Sequence, residues 1–407
     1  MFLLRFLIQT IMRYLTWILL YMCPFLYTAS ATDTLRIDSK VFGDQRPIRI
    51  ELPGEYVNNP WRKYPVVFLL DGHSRELFDF TWGSLQYLTG MGYLSPVILI
   101  GIPHTNRQFE LTPPAITATG RKQFQKSGGA DSLLAFLTNE LMPVLNRQYR
   151  CTDYRIGIGH SLGGSFLIHA MLQQKPLFKA TIAVSPNLEF DEMQSIRRFT
   201  AALPRQFEHR FLYFCYGAGD KLETKFKPAT VALDSVLQHK RFQGLQWASQ
   251  YLPGLHHGVT PLNGIPDGLV RLSQHLSLPY EELEQLMKDS STPIIKRLQQ
   301  YYLKASQSSG MVLPTVHEAN IHAYNLYYSE RTADAAALLR WAIELHPEDV
   351  NLHDSLGEML QKSGDKKGAL SAYQSAKKLV ERYRSQLPEA ELKHQLKWFG
   401  ERIDSVK

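Results

Sequence analysis

Apolar and polar positions change their period twice along this chain. Between Asp33 and about Ser277, apolar runs of strand length alternate with stretches of helical spacing. "RPIRIELP" alternates polar and apolar positions, the pattern of a half-exposed edge strand. "YPVVFLLDG", "SPVILIGIP", "YRIGIGH", "KATIAVSP" and "RFLYFCYG" are short, rich in β-formers and nearly unbroken in apolarity, as strands buried on both faces are. "LQWASQYLPG" supplies a last strand. "DSLLAFLTNELMPVLNRQY" carries apolar residues at helical spacing between two of these runs. Strand–helix alternation of this kind predicts an α/β fold, a mostly parallel sheet with right-handed crossovers.

After Leu278 no strand-like run follows, and alanine, leucine, glutamine and lysine dominate. Ala323, Leu326, Ala335, Leu339 and Ala342 recur, 34 positions on, as Gly357, Leu360, Ala369, Tyr373 and Ala376. Small residues at helix crossings with larger apolar ones between them, at this period, are the tetratricopeptide pattern. Two units cannot close a core alone, so flanking helices are expected around 281–305 and 388–403. The predicted division is an α/β domain at 32–278 and an all-α, tetratricopeptide-like domain at 279–407.

The first 31 residues read as a signal peptide. Arg5 and Arg13 precede the apolar "YLTWILLYMCPFLY", and the small residues Ala29 and Ala31 are spaced for cleavage. A start at Met12 gives a more compact version of the same signal. The apolar stretch, interrupted by Pro24, is shorter than the ~20 residues a spanning helix needs. The expectation is a periplasmic or secreted protein with no stable membrane span after cleavage. The alternative is an uncleaved N-terminal membrane anchor.

Composition narrows the function classes. Of 407 residues, 44% are hydrophobic and 20% charged, so there is ample material for a core. The net charge of +7 comes from scattered basic residues without a nucleic-acid-binding module, so no nucleic-acid partner is expected. Beyond the signal only Cys151 and Cys215 remain, and Cys215, inside an apolar run, reads as a buried free thiol. No CxxC, HExxH or clustered His/Cys pattern occurs, so no metal site and no cofactor are expected.

The chemistry concentrates in "RIGIGHSLGGSFLIHAM". A serine hydroxyl becomes a useful nucleophile only when a base takes its proton and its oxygen is held out to a carbonyl. In α/β hydrolases the chain turns sharply from strand to helix at that serine, and side chains two positions either side would collide. Gly159-His160-Ser161-Leu162-Gly163 follows a strand and opens a helix, so Ser161 is the expected nucleophile. The order serine, acid, histidine places the acid after a late strand, where "YGAGD" delivers Asp220, with Glu223 and Asp234 as rivals. The histidine follows the last strand, in "LHHGVTP". His257, beside Gly258, is favoured over His256, which reads as structural or substrate-facing. The oxyanion donors are expected to be the N–H of Leu162 and that of His73, in the "DGH" loop after the third strand. Arg107, with Arg121, Lys122 and Lys126, is expected to meet an anionic substrate, and His160 to line the substrate site.

These blocks carry a resemblance. "ELPGEY", "VVFLLDGH", "ILIGIPHTNRQFELTP", "RIGIGHSLGGSF", "AVSPN", "YGAGD" and "LHHGVTP", spread over about residues 36–276, resemble the esterase family that includes esterase D, S-formylglutathione hydrolases and ferric-siderophore esterases. The siderophore-esterase branch is the nearer likeness. The resemblance implies an α/β-hydrolase fold and ester or thioester hydrolysis of a small molecule without a cofactor. It places the nucleophile at Ser161, the terminal histidine at His257, the oxyanion loop at Gly72 and its successor, and the acid at Asp220. That acid varies among siderophore esterases, some of which work as a Ser–His dyad. Where members often carry aromatic or apolar residues after "SP", Asn187 and Glu189 stand here.

The reading is an exported serine esterase whose helical domain binds a protein partner or lids the site. The alternatives are a scaffold with a non-catalytic hydrolase domain, and an acyltransferase using the same residues.

Overall fold

The structure, a computed structural model, describes residues 33–407 except 203–206, 208, 241 and 289–291. The expected signal peptide or anchor at 1–31 lies outside the described residues. Eight strands make one sheet in the order β1-β2-β4-β3-β5-β6-β7-β8. They are β1 (Asp33–Asp38), β2 (Gln45–Glu51), β3 (Tyr64–Leu70), β4 (Ile98–Ile102), β5 (Cys151–His160), β6 (Ala180–Val184), β7 (Arg210–Gly217) and β8 (Leu245–Leu252). From β4 to β8 the neighbours pair in parallel, while β1 and β2 add an antiparallel edge. Every residue of β3, β4 and β6 is buried, which accounts for their unbroken apolarity.

The edge differs from expectation. "RPIRIELP" is an interior strand, β2, paired with both β1 and β4. The true edge is β1, "DTLRID", whose two apolar residues in six give no readable run. The alternation of β2 survives because one of its faces packs Ile48 and Ile50 into the core.

Helices cover both faces. They are α1 (Arg75–Gly90), the short α2 (Arg107–Glu110) and α3 (Ala118–Gln123), α4 (Ala130–Ala135), α5 (Met142–Gln148), α6 (Leu162–Met171), α7 (Phe190–Ala201), α8 (Lys221–Lys240) and α9 (Thr260–Leu276). One face packs β-strand residues Leu69, Ile158, Ile182 and Tyr213 against Phe78 and Leu85 of α1 and Ile265 and Leu269 of α9. The other buries Phe68 and Ile100 under Leu133, Phe136 and Phe166, and Phe214 under Phe199 and Leu233. The predicted helix over "DSLLAFLTNELMPVLNRQY" becomes α4 and α5 joined by a π-helical turn, Phe136–Leu141. Pro143 has no N–H to donate one turn back, and a widened turn just before it absorbs the loss. Cys215 is a fully buried free thiol and Cys151 a partly buried one.

The remainder is helical: α10 (Tyr280–Lys288), α11 (Ile294–Ser309), α12 (Val316–Tyr328), α13 (Thr332–Leu345), α14 (Val350–Lys362), α15 (Lys366–Arg382) and α16 (Glu389–Asp404). The pair α12/α13 and the pair α14/α15 begin 34 positions apart at both helices. Ala323, Leu326, Ala335, Leu339 and Ala342 are fully buried, as are Ala369, Tyr373 and Ala376. The size exchange within the repeat is complementary. A methyl group on Gly357 would lie 2.4 Å from the Tyr373 ring, so the larger residue at 373 takes the space the smaller one at 357 leaves. Among the described residues no helix is long and apolar enough to cross a membrane.

Residues 32–407 form one compact unit, and the helices join it at a defined place. Arg62, just before β3, forks onto Asp349 at 2.6 and 3.2 Å, and the Trp61 ring meets Tyr383 edge-on at 5.9 Å. Ser95, before β4, bonds Thr315 at 2.6 Å, and His317 bonds the Thr89 carbonyl. Gly310 lies against Lys179 and His209, which precede β6 and β7. Each contact sits at the N-terminal edge of the parallel strands. The ten residues of β5 span about 33 Å from that edge to its C-terminal end at His160. A helical lid over Ser161 is therefore not what the chain builds.

The Arg62–Asp349 pair is largely buried, with 12% and 3% of the two side chains exposed. Asp349 also caps α14 by accepting the Leu352 N–H. Asp349→Ala leaves the guanidinium with Glu55 alone, 2.9 Å from Nη1, and removes the cap of α14; it is expected to lower unfolding free energy by about 2–4 kcal/mol in denaturant titrations. Lys393→Ala, which removes an exposed pair with Glu389, is expected to change it by less than about 0.5 kcal/mol.

Candidate active site

Ser161 stands between the last residue of β5 and the first of α6, with φ 58° and ψ −118°. Such a backbone costs a non-glycine residue on the order of 1–3 kcal/mol and persists only where its surroundings over-determine it. Its N–H donates to the Val184 carbonyl at 2.9 Å, and its carbonyl accepts the Ser165 N–H and hydroxyl, each at 3.1 Å. Gly159 lets the turn close: a Cβ there would lie 2.5 Å from the Gly163 carbonyl carbon. The start of α6 abuts the end of β3, where a methyl on Gly163 would sit 3.3 Å from Leu70 and 3.6 Å from the Asp71 carboxylate. The N–H groups of Leu162 and His73 have no hydrogen-bond partner among the described residues.

His257 opens a short 3-10 turn after β8 and is gripped on every side. Its N–H donates to Asp220 Oδ2 at 2.8 Å, and its carbonyl accepts from His160 Nε2 at 3.0 Å and Thr260 Oγ1 at 2.8 Å. Its ring lies 4.5 Å from the His160 ring, centre to centre, and meets the edge of Phe226. Nδ1 is 2.6 Å from Glu223 Oε1. A carboxylate can only accept, so Nδ1 carries the proton and Nε2 keeps its lone pair.

This corrects the expected orienting acid. Glu223, not Asp220, holds the imidazole. Glu223 is fully buried and also accepts the Gly217 N–H at 2.6 Å. Burial raises its pKa, but the bonds from His257 and Gly217 outweigh it and leave the carboxylate below its ordinary range. Asp220 sits one turn earlier, where its Oδ1 accepts the Glu223 N–H at 2.8 Å and its Oδ2 the His257 N–H. It fastens the start of α8 to the His257 loop. "DKLE" at 220–223 has the spacing of a helix-capping box, and that was the available signal: the first acid caps while the fourth residue turns back. Asp234 bonds Ser249 at 2.6 Å and takes no part. His256 is 66% exposed, 3.7 Å from Asp220.

Two residues expected at the substrate hold the framework instead. Arg107 forks onto Asp71 with Nε at 2.7 Å and Nη2 at 2.8 Å, and Nη2 also reaches the His160 carbonyl at 3.3 Å. It ties the loop after β3 to the serine turn. His160 donates from Nε2 to the His257 carbonyl, and burial, with the nearby His257, pushes its pKa down to about 4. Arg121 donates to the carbonyl of Ile116 in its own loop. Sequence reasoning also missed Asp191. Its buried carboxylate accepts the N–H groups of Ile116 and Thr117 and the Thr117 hydroxyl, binding the 111–124 segment to α7. Asp191, Glu192 and Met193 are successive left-handed residues, with φ between 48° and 60°. Beside them Glu189 pairs with Lys225 at 3.3 Å.

A parallel sheet with a strained serine at the end of its fifth strand, and a carboxylate-held histidine after its eighth, defines an α/β-hydrolase-like domain. Residues 39–234, just under half of the chain, match the family model described as "Putative esterase", and this part of the chain is similar to that family. The ferri-bacillibactin esterase BesA of Bacillus subtilis (strain 168) is 26% identical over 186 residues, 41% of this chain and 62% of that protein. The chain spans 40% to 62% of the length of the curated relatives it matches. Among solved structures, an IroE-like serine hydrolase from Shewanella oneidensis shares the fold with a TM-score of 0.64 and 24% identity, over 75% of this chain and 97% of that one. An uncharacterised protein from Capnocytophaga ochracea aligns over 92% of this chain and 99% of its own, with a TM-score of 0.59 and 16% identity.

Because the His160 pKa is depressed, folding keeps this imidazole neutral where the unfolded chain would protonate it. Its contribution to stability is complete above about pH 6.5 and is lost as pH falls toward 4. NMR titration is expected to place His160 near 4, and His160→Asn to flatten the fall in stability between those two pH values.

Proposed function

We propose that this chain is an exported serine esterase that hydrolyses a carboxylic ester or thioester through an acyl-enzyme on Ser161. His257 Nε2 takes the Ser161 proton as Oγ attacks the acyl carbon, and returns it to the departing alkoxide or thiolate. A water molecule then repeats the sequence and frees the acid. Glu223 holds the imidazole with Nδ1–H inward and stabilises the imidazolium. The N–H groups of Leu162 and His73 receive the oxyanion, each worth roughly 2.7–4 kcal/mol in the transition state. The observation that carries this reading is the His257 ring, fixed through Nδ1 by a buried carboxylate and lying against the neighbour of a serine in a strained turn. The hydrolase and helical parts are read as 32–278 and 279–407.

The substrate is read as a siderophore-type ester, which the named activity of the Bacillus relative supports. Export follows from the signal read at residues 1–31. The helix pairs repeating every 34 residues are taken as tetratricopeptide-like units that dock a protein partner, at the end of the molecule away from Ser161.

Wild-type protein is expected to be labelled by a fluorophosphonate and to hydrolyse members of a panel of short acyl esters, thioesters and cyclic catecholate trilactones. Ser161→Ala should lose both properties, and an unlabelled but folded wild type would overturn the reading. Glu223→Gln is expected to lower kcat by about 10²–10⁴ with KM little changed, and Asp220→Asn by only about tenfold. The reverse ranking would return the orienting role to Asp220.

A further inference from the structure

The His73 N–H comes from the loop after β3, and that loop is shaped by restraints from outside it. Asp71, the first residue of that loop, has φ 59° and is almost fully buried. It is a second non-glycine residue in a left-handed conformation beside the serine turn, and it too needs external restraint. The Gly72 N–H is spent on the Ile102 carbonyl, and the Ser74 N–H on the Asp71 carbonyl. That leaves the His73 N–H alone, and its direction follows from the Asp71 backbone.

Two grips act on Asp71. Arg107 holds the carboxylate. The backbone is held from the other side: the Asp71 N–H points at His104 Nε2, 3.3 Å away. His104 has no exposed side-chain surface, and its Nδ1 lies 3.2 Å from Glu110 Oε2. Glu110 is itself buried and accepts the N–H groups of Thr105 and Asn106 and a two-pronged bond from Arg46 at 2.7 and 3.1 Å. Burial raises its pKa, but His104 and Arg46 more than reverse that and bring it to about 2. Arg46 comes from β2 and lies 3.7 Å over the Phe42 ring. An ionised Glu110 can only accept, so His104 carries its proton on Nδ1 and presents a lone pair at Nε2 to the Asp71 N–H.

We propose that His104 is a positioning residue of the ester-cleaving site: through Nε2 it fixes the Asp71 peptide, and with it the aim of the His73 N–H at the oxyanion. This rests on the serine-esterase reading, and it assigns a task to a buried cluster that touches no reacting atom. Its signature is a loss confined to the transition state, because a misaimed donor weakens oxyanion binding and leaves ground-state binding alone.

The test pairs two substitutions. His104→Asn keeps a donor toward Glu110 and removes the acceptor facing Asp71, whereas His104→Gln keeps an acceptor at the longer reach. On an ester chosen from the panel, His104→Asn is expected to lower kcat about 10–100-fold with KM within about twofold, less than outright loss of a donor. The inhibition constant of a trifluoromethyl ketone, which forms a tetrahedral adduct on the serine, should weaken by the same factor. His104→Gln should recover kcat to within about fivefold of wild type. Unchanged kcat and inhibition in His104→Asn would overturn the proposal. So would equal losses in both variants accompanied by matching drops in unfolding midpoint. A measurement on unaltered protein guards against a variant that fails to fold. NMR of ¹⁵N-histidine-labelled wild type should find His104 protonated at Nδ1 only, and a proton on Nε2 would sink the idea. Absence of labelling and hydrolysis in wild type would instead overturn the esterase reading, and the His104 tautomer reports independently of it.

Discussion

A serine held at positive φ is the constraint around which this protein is organised. The conformation at Ser161 is unfavourable alone, and it survives because β6 takes its N–H, Ser165 takes its carbonyl, and Gly159 lets α6 press onto β5. Only a buried parallel sheet can supply those supports together. The turn must sit where one strand ends, the next offers a carbonyl, and a helix leaves at once. The unbroken apolarity of β3, β4 and β6 thus serves the chemistry as well as the core.

Around that turn, charged groups work in pairs with unequal duties. Asp220 and Glu223 lie one helical turn apart: the first holds backbone, the second an imidazole. Asp71 and Glu110 divide in the same way, with Arg107 and His104 between them. In each pair the more deeply enclosed carboxylate faces a histidine, and the other secures a loop. Water is kept from the acids whose ionised state matters most, and fixed partners replace its hydrogen bonds.

Much of this was legible in the chain. The strands β3, β4, β6 and β7 announce themselves because burial on both faces forbids polar interruptions, and the glycines around Ser161 announce a collision they avoid. The 34-residue repeat was visible because helix crossings demand small residues at fixed places. What stayed hidden depends on distance in space rather than along the chain. β1 has too few apolar residues to read, and only pairing with β2 makes it a strand. The choice between Asp220 and Glu223 turned on which side chain a helix start directs inward, a matter of rotation that local composition leaves open. Arg107 and His160 read as substrate contacts because polar residues near a nucleophile usually are. Their partners, Asp71 and the His257 carbonyl, are dozens of positions away.

The seam between the helices and the sheet has a practical corollary. A fragment ending near residue 278 stops where the strand-bearing part finishes. Yet that cut strips Asp349 from Arg62, Tyr383 from Trp61 and Thr315 from Ser95. The shortened molecule would carry a guanidinium left to Glu55 alone and an uncovered indole on its underside, inviting self-association during expression. The intact chain is the sounder starting material for crystallisation and assay alike.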